Sequence, residues 1–108
     1  MKKFLQLFFF CLFLATNLFG QNKRVDSLVN LLNQTQNEIE KTQFLNAIAD
    51  DYKSSNPKLM ENYARQALQL SQKIKYKAEE GNALLNLGIA QIILGNYPEA
   101  IDFFSQAK

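Results

Sequence analysis

The feature that most constrains this chain is that it repeats itself. Leu45, Ile48, Ala49 and Tyr52 return 39 positions later as Leu84, Leu87, Gly88 and Gln91. Ala64 and Ala67 return 40 positions later as Phe104 and Ala107, and the one-residue difference falls in the turn from Ser54 to Pro57. Within each copy the apolar residues recur at three- and four-residue spacing, and no useful length alternates with a strand's period of two. A chain of this kind is all-α, and it builds its core by stacking one short unit on the next.

The punctuation between the units supports that reading. Val25, Leu28, Leu31 and Leu32 make one apolar stripe on a first helix over about 23–33. Gln34 to Asn37 is a polar turn, with Asn37 placed to cap a second helix whose first turn carries Glu38 and Glu40. That helix runs to about Ser54, with Phe44, Leu45, Ile48 and Tyr52 on its core face. Asn56-Pro57 is an N-cap followed by a proline at the first helical position, where the missing amide costs nothing. The third helix, about 57–73, presents Leu59, Met60, Tyr63, Ala64, Ala67, Leu68 and Leu70. The fourth covers about 78–94. Gly95 is expected to cap it in the left-handed conformation, and Asn96 to cap a fifth helix with Pro98 in its first turn. The apolar residues of that helix are Ala100, Ile101, Phe103, Phe104 and Ala107.

The stretch NALLNLGIAQIILGNYPEAIDFFSQAK resembles a tetratricopeptide repeat. Leu84 takes the first signature position, Leu87-Gly88 the Leu-Gly pair, and Ala100, Phe104 and Ala107 the spaced residues of the second helix. Gln91 departs from the Tyr common at its place. The 45–67 stretch resembles a weaker copy, in which Met60 replaces the small residue at the helix crossing. A period near 40 is longer than the usual 34 of that family. Such lengthened repeats resemble those of bacterial sensor and regulator proteins. The resemblance implies a solenoid of antiparallel helix pairs over residues 41–108, in units 41–77 and 78–108, preceded by a helix and turn over 21–40. It also implies that Gly88 and Ala100 are small because the two helices cross there, with Leu84, Leu87 and Phe104 filling the gaps beside them.

Residues 1–20 stand apart from all this. Lys2 and Lys3 precede an apolar run from Phe4 to Leu14 broken only by Gln6, and a more polar exit ends at Gly20. That order is expected of a secretory signal peptide, with the cut after Gly20. Leu18 fits the small-residue rule poorly, and an uncleaved anchor is the alternative, although the run falls short of the roughly 20 residues of a spanning helix. The single cysteine, Cys11, lies inside the apolar run rather than at its end, so lipidation is not expected. The remainder has no cysteine, hence no disulfide and no thiolate metal site. Without Lys2 and Lys3 it carries ten basic and ten acidic residues, so it offers no charge footprint for nucleic acid. Lys73, Lys75 and Lys77 are its one basic cluster and read as a solvated helix end.

Catalysis has no foothold in this composition. There is no histidine, which removes the commonest general base and metal ligand. The three glycines beyond Gly20 are seven residues apart and punctuate helices rather than cradle a phosphate. Asp50-Asp51 and Glu79-Glu80 are adjacent carboxylates that point about 100° apart on a helix and cannot converge on one atom. No enzyme activity, cofactor or metal is expected.

What is left is a binding surface. In the resembled family the first helix of each pair lines a concave groove. Carried over, this implies Gln43, Asn46, Asp50 and Lys53 from the first copy, and Asn82, Leu85, Ile89, Ile92 and Ile93 from the second. Leu85, Ile89 and Ile93 equally suit packing against a following helix. The expected partner is a protein or peptide, or further repeats of a longer parent chain, with membrane contact only through residues 1–20 if they are retained. Since the sequence stops inside the fifth helix, the expectation is an N-terminal piece of an exported protein. A protein-binding module of the cell envelope is the leading reading. The sensory part of a membrane histidine kinase or helix-turn-helix regulator is the alternative.

Overall fold

The structure is a computed structural model that describes residues 23–108. The expected signal or anchor over 1–20, its cut after Gly20, and Cys11 lie outside the described residues. The described chain is five α-helices and one 3₁₀ turn: α1 Lys23–Gln34, α2 Glu38–Asp51, the 3₁₀ turn Tyr52–Ser54, α3 Pro57–Ile74, α4 Lys77–Leu94 and α5 Tyr97–Gln106.

The helix starts follow local chemistry. Asn37 accepts from the amides of Ile39 (2.9 Å) and Glu40 (3.3 Å), and Asn56 accepts from the amide of Leu59 (3.1 Å). Each satisfies donors that a first turn leaves orphaned, worth about 1 kcal/mol per cap. Asn96 behaves differently. It sits at the cap position of α5 but makes no side-chain cap bond; its Nδ2 donates instead to Gln91 Oε1 at 2.9 Å.

The helix ends use one motif twice. Gly95 is left-handed (φ 85°), its amide donates to Ile92 O at 3.1 Å, and the amide of Asn96 donates to Gln91 O at 2.8 Å. Lys75 makes the same cap for α3 with φ 59°, its amide reaching Gln72 O at 3.3 Å and that of Tyr76 reaching Ser71 O at 2.8 Å. The sequence marked a turn near Lys75 but not this backbone, since the left-handed region usually goes to glycine. The second helix also ends earlier than its periodicity suggests: α2 stops at Asp51, and Tyr52–Ser54 tighten into the 3₁₀ turn.

Packing is sequential. α1 lies on α2, α2 on α3, α3 on α4 and α4 on α5, while α2 also touches α4. Short turns make chain neighbours antiparallel. Gln43 meets Tyr76 and Asn46 meets Glu79 at the same 33-residue offset, so α2 and α4 run parallel. The core joins the two helix pairs rather than sitting inside each. Ala49, Met60 and Ala64 pack with Leu87 and Ala90, and Leu45 and Ala67 pack with Ala83. Tyr63 and Leu68 of α3 border both clusters. The small residues are fully buried, which lets three helices approach closely.

Several core expectations change. Leu31 (46 % exposed), Leu59 (37 %) and Ile101 (66 %) face solvent, whereas Thr42, Ser71 and Gln91 are buried. The hydroxyls of Thr42 and Ser71 are satisfied by bonds to the carbonyls of Ile39 (2.6 Å) and Leu68 (3.0 Å), so these small polar residues serve as core at close contacts. Gln91, at the place where the repeat pattern favours Tyr, donates Nε2 to Glu61 Oε2 at 2.8 Å and accepts from Asn96, tying α4 to α3 and to the next turn.

The signature residues Leu84, Leu87, Gly88 and Ala100 are buried, and Phe104 and Ala107 are half-buried. The contact that Gly88 makes room for is visible directly. A Cβ there would lie 2.5 to 2.8 Å from three ring carbons of Phe104, so Gly88 makes room first for the Phe104 ring.

Candidate partner-binding groove

The parallel neighbours α2 and α4 leave a groove between them. A cavity of about 380 Å³ there is lined by Gln43, Asn46, Ala47 and Asp50 from α2 and by Glu79, Asn82, Leu85, Asn86 and Ile89 from α4. The spacing explains the convergence. Positions 43, 46, 47 and 50 form one face of a helix, as do 79, 82, 86 and 89, so parallel packing brings two whole faces together.

Of the residues expected to form the groove, Gln43, Asn46, Asp50, Asn82, Leu85 and Ile89 come together here. Lys53 and Ile93 do not. Lys53 is exposed in the 3₁₀ turn, after α2 has ended, and Ile93 (46 % exposed) and Ile92 (44 %) sit at the far end of α4.

The floor is polar and internally bonded. Asn46, 6 % exposed, donates Nδ2 to Glu79 O (3.0 Å) and Glu79 Oε2 (2.7 Å). Asn86, 8 % exposed, donates Nδ2 to Asn46 O and Oδ1, both at 3.4 Å. Asn46 is thus committed to holding α2 against α4, while Gln43, Asp50, Asn82 and Leu85 are the exposed rim. Sequence reasoning missed Glu79, Asn86 and Ala47 as lining residues. The available signal was spacing, because Asn86 shares a helix face with Asn82 and Ile89.

Some of the charges elsewhere pair with one another. Lys73 pairs with Glu38 at 3.3 Å and Lys77 with Glu80 at 3.5 Å, and both lysines are exposed, so the basic cluster is a solvated helix end. Arg24 Nε lies 3.1 Å from Asp51 Oδ2; that oxygen is buried and the contact is ionic rather than an aligned hydrogen bond. Tyr52 stacks on Tyr63 with ring centroids 5.9 Å apart, and burial, then Tyr63 and Asp26, push its phenol above its ordinary pKa. Among the described residues no group of three or more His, Cys, Asp or Glu is placed to hold a metal ion, and no helix is long and apolar enough to cross a membrane.

The family model described as the SusR N-terminal TPR domain matches residues 20–108. The chain belongs to that family. The match takes in α1 as well as the two helix pairs, so this TPR domain begins before the stretch that carries the signature residues. Neither a curated protein nor a solved structure matches the chain. As a TPR domain it is a helical-repeat module of the protein-interaction type.

Proposed function

We propose that this TPR domain is a protein-binding module of the cell envelope that holds a partner segment on the groove between α2 and α4. The observation that carries the reading is the groove itself. Two parallel helices present an exposed rim of Gln43, Asp50, Asn82 and Leu85 over a floor whose amide donors are satisfied by its own hydrogen bonds. The amide donors of Asn46 and Asn86 are already spent within the floor, so a partner covering it need not accept from them. Leu85 and Ile89 offer the apolar contact and the amides offer direction, a division usual in binding sites. In this reading residues 41–77 and 78–108 are two repeats, 21–40 leads into them, and 1–20 directs export or anchors the chain. The protein then acts by binding and not by catalysis.

A photo-crosslinking amino acid placed singly at Asn82 or Gln43, and at exposed Gln69 on α3 as the reverse face, tests the groove in an envelope preparation. Adducts to one protein from positions 82 and 43 but not from 69 are expected. Equal labelling from all three, or none from the groove, would remove the groove as the binding face. Fractionation of the same cells tests location, with cytosolic recovery counting against export.

A second reading is the N-terminal sensory part of a membrane signalling protein. It is favoured by the family's description, which places such domains at the N-terminus of SusR. In that case the partner on the groove transmits a signal through the parent protein.

A further inference from the structure

The groove is walled by acceptors and aliphatic carbon. Its charged lining residues, Asp50 and Glu79, are both carboxylates, and no Lys or Arg lines it. Asp50 is exposed and has no ion-pair partner among the described residues, because Arg24 is held by the neighbouring Asp51. Glu79 gives Oε2 to Asn46 and keeps Oε1. Asn86 uses its Nδ2 on Asn46, while its Oδ1 accepts from no group among the described residues. The apolar part is Leu85, 45 % exposed, and the partly buried Ile89.

Register places these features side by side. The contacts between α2 and α4 link residues offset by 33 and by 40 positions. Asp50 therefore stands level with the stretch from Ala83 to Ala90, which contains Leu85, Asn86 and Ile89. A carboxylate beside exposed aliphatic carbon matches one kind of side chain, an apolar stem ending in a cation. An acidic or phosphorylated segment would instead face two like charges with no counter-ion. A wholly apolar one would cover Asp50 and Asn86 Oδ1 without supplying a donor.

Resting on the groove being the binding face, we propose that its occupant is an extended segment of a partner protein carrying a lysine or arginine. The stem lies on Leu85 and Ile89, and the head meets Asp50 and Asn86 Oδ1. Asp50 and the aliphatic pair set the specificity, and the rim amides of Gln43 and Asn82 hold the segment's backbone.

The test uses the full chain in non-ionic detergent and three end-blocked peptides of sequence Ala-Leu-X-Leu-Ala, with X lysine, norleucine or glutamate. Amide shifts of the labelled protein report both affinity and place. The lysine peptide should shift groove amides of α2 and α4 and bind about three- to fivefold more tightly than the norleucine peptide, the scale of an exposed ion pair, with glutamate weakest. Asp50→Asn should bring the lysine and norleucine peptides within about twofold of each other. Asp50→Glu should retain the preference. Equal binding of all three peptides in the groove overturns the cationic partner and leaves the groove standing. Shifts confined to the faces of α3 and α5 away from the groove overturn the groove as well.

Discussion

The two helix pairs fill the same space with different residues. In the second pair Gly88 meets Phe104 and Ala100 is buried nearby in sequence, and in the first the corresponding places hold Ala49, Ala64 and Met60. One bulky side chain is present in each set, but it enters one turn earlier in α3, as Met60, than in α5, as Phe104. The glycine is needed only where the aromatic ring lies against the helix backbone; with Ala64 in the ring's place, Ala49 fits. The repeat therefore conserves packed volume rather than residue identity, as close-packed interiors demand. Met60 looked like a departure in the sequence and is the compensating half of the exchange.

The largest expected effect asks whether the two pairs are separable at all. Leu87 is fully buried and belongs to one core cluster with Ala49, Met60 and Ala64 of the first pair. Leu87→Ala should cost about 2–5 kcal/mol. Because the core is shared, denaturation followed by circular dichroism should remain one transition at a lower midpoint. Two resolved transitions would mean that the pairs fold as independent units and that the shared clusters do not couple them.

The Gly88–Phe104 contact gives the next effect. Gly88→Ala places a Cβ inside the Phe104 ring contact, and overpacking of this kind costs about 1–3 kcal/mol, offset by about 1 kcal/mol of helix propensity. A net loss of about 1 kcal/mol is expected. In the Phe104→Ala background the same change should become neutral or stabilising, since the double variant reproduces the Ala49 and Ala64 arrangement of the first pair. Additive losses in the double-mutant cycle would show that the glycine answers to some other contact.

The paired caps should respond with opposite signs. Gly95→Ala forces alanine into the left-handed region at a cost of about 1 kcal/mol, whereas Lys75→Gly relieves that strain and should be stabilising by up to about 1 kcal/mol. Thermal melts of the two single variants decide this. Equal signs would break the equivalence of the two turns.

The smallest effect separates Tyr52 from its counterpart Gln91, which has no titrating group. Burial raises the Tyr52 pKa in the folded state above its ordinary value of 10.0, so folding favours the neutral phenol. Its contribution is fully present below pH 10 and is lost as pH rises through the folded value. Tyr52→Phe should flatten that alkaline fall in stability, while Gln91→Glu should leave it unaltered. An identical alkaline slope in wild type and Tyr52→Phe would place the titration elsewhere.

The groove was legible in the sequence at its rim and not at its floor. Gln43, Asp50, Asn82 and Leu85 follow from the resemblance, which names the helix face, and from the helical spacing, which carries that face along α2 and α4. Lys53 was misplaced because α2 tightens into a 3₁₀ turn one residue beyond Asp51 and the face rotates away. The sequence places Asn46 on the partner-binding face and assigns Asn86 no role, yet they are buried against each other and Glu79. Buried amides such as these need hydrogen-bond partners, and here the partners lie 33 to 40 residues away.

What the sequence determined by itself is whatever a few neighbouring residues settle: the all-helical character, the caps at Asn37 and Asn56, the left-handed stop at Gly95, and the near-40-residue repeat. These depend on backbone groups and side chains within one or two helical turns, where composition and spacing act directly. Tertiary structure decided which residue Gly88 yields to, whether Asn96 caps α5 or joins Gln91, and which amides face the groove and which hold it together. Those outcomes depend on how one helix is rotated against the next. A rotation of a few tens of degrees changes the partner of every side chain on the face while leaving each helix, and its sequence signals, unaltered.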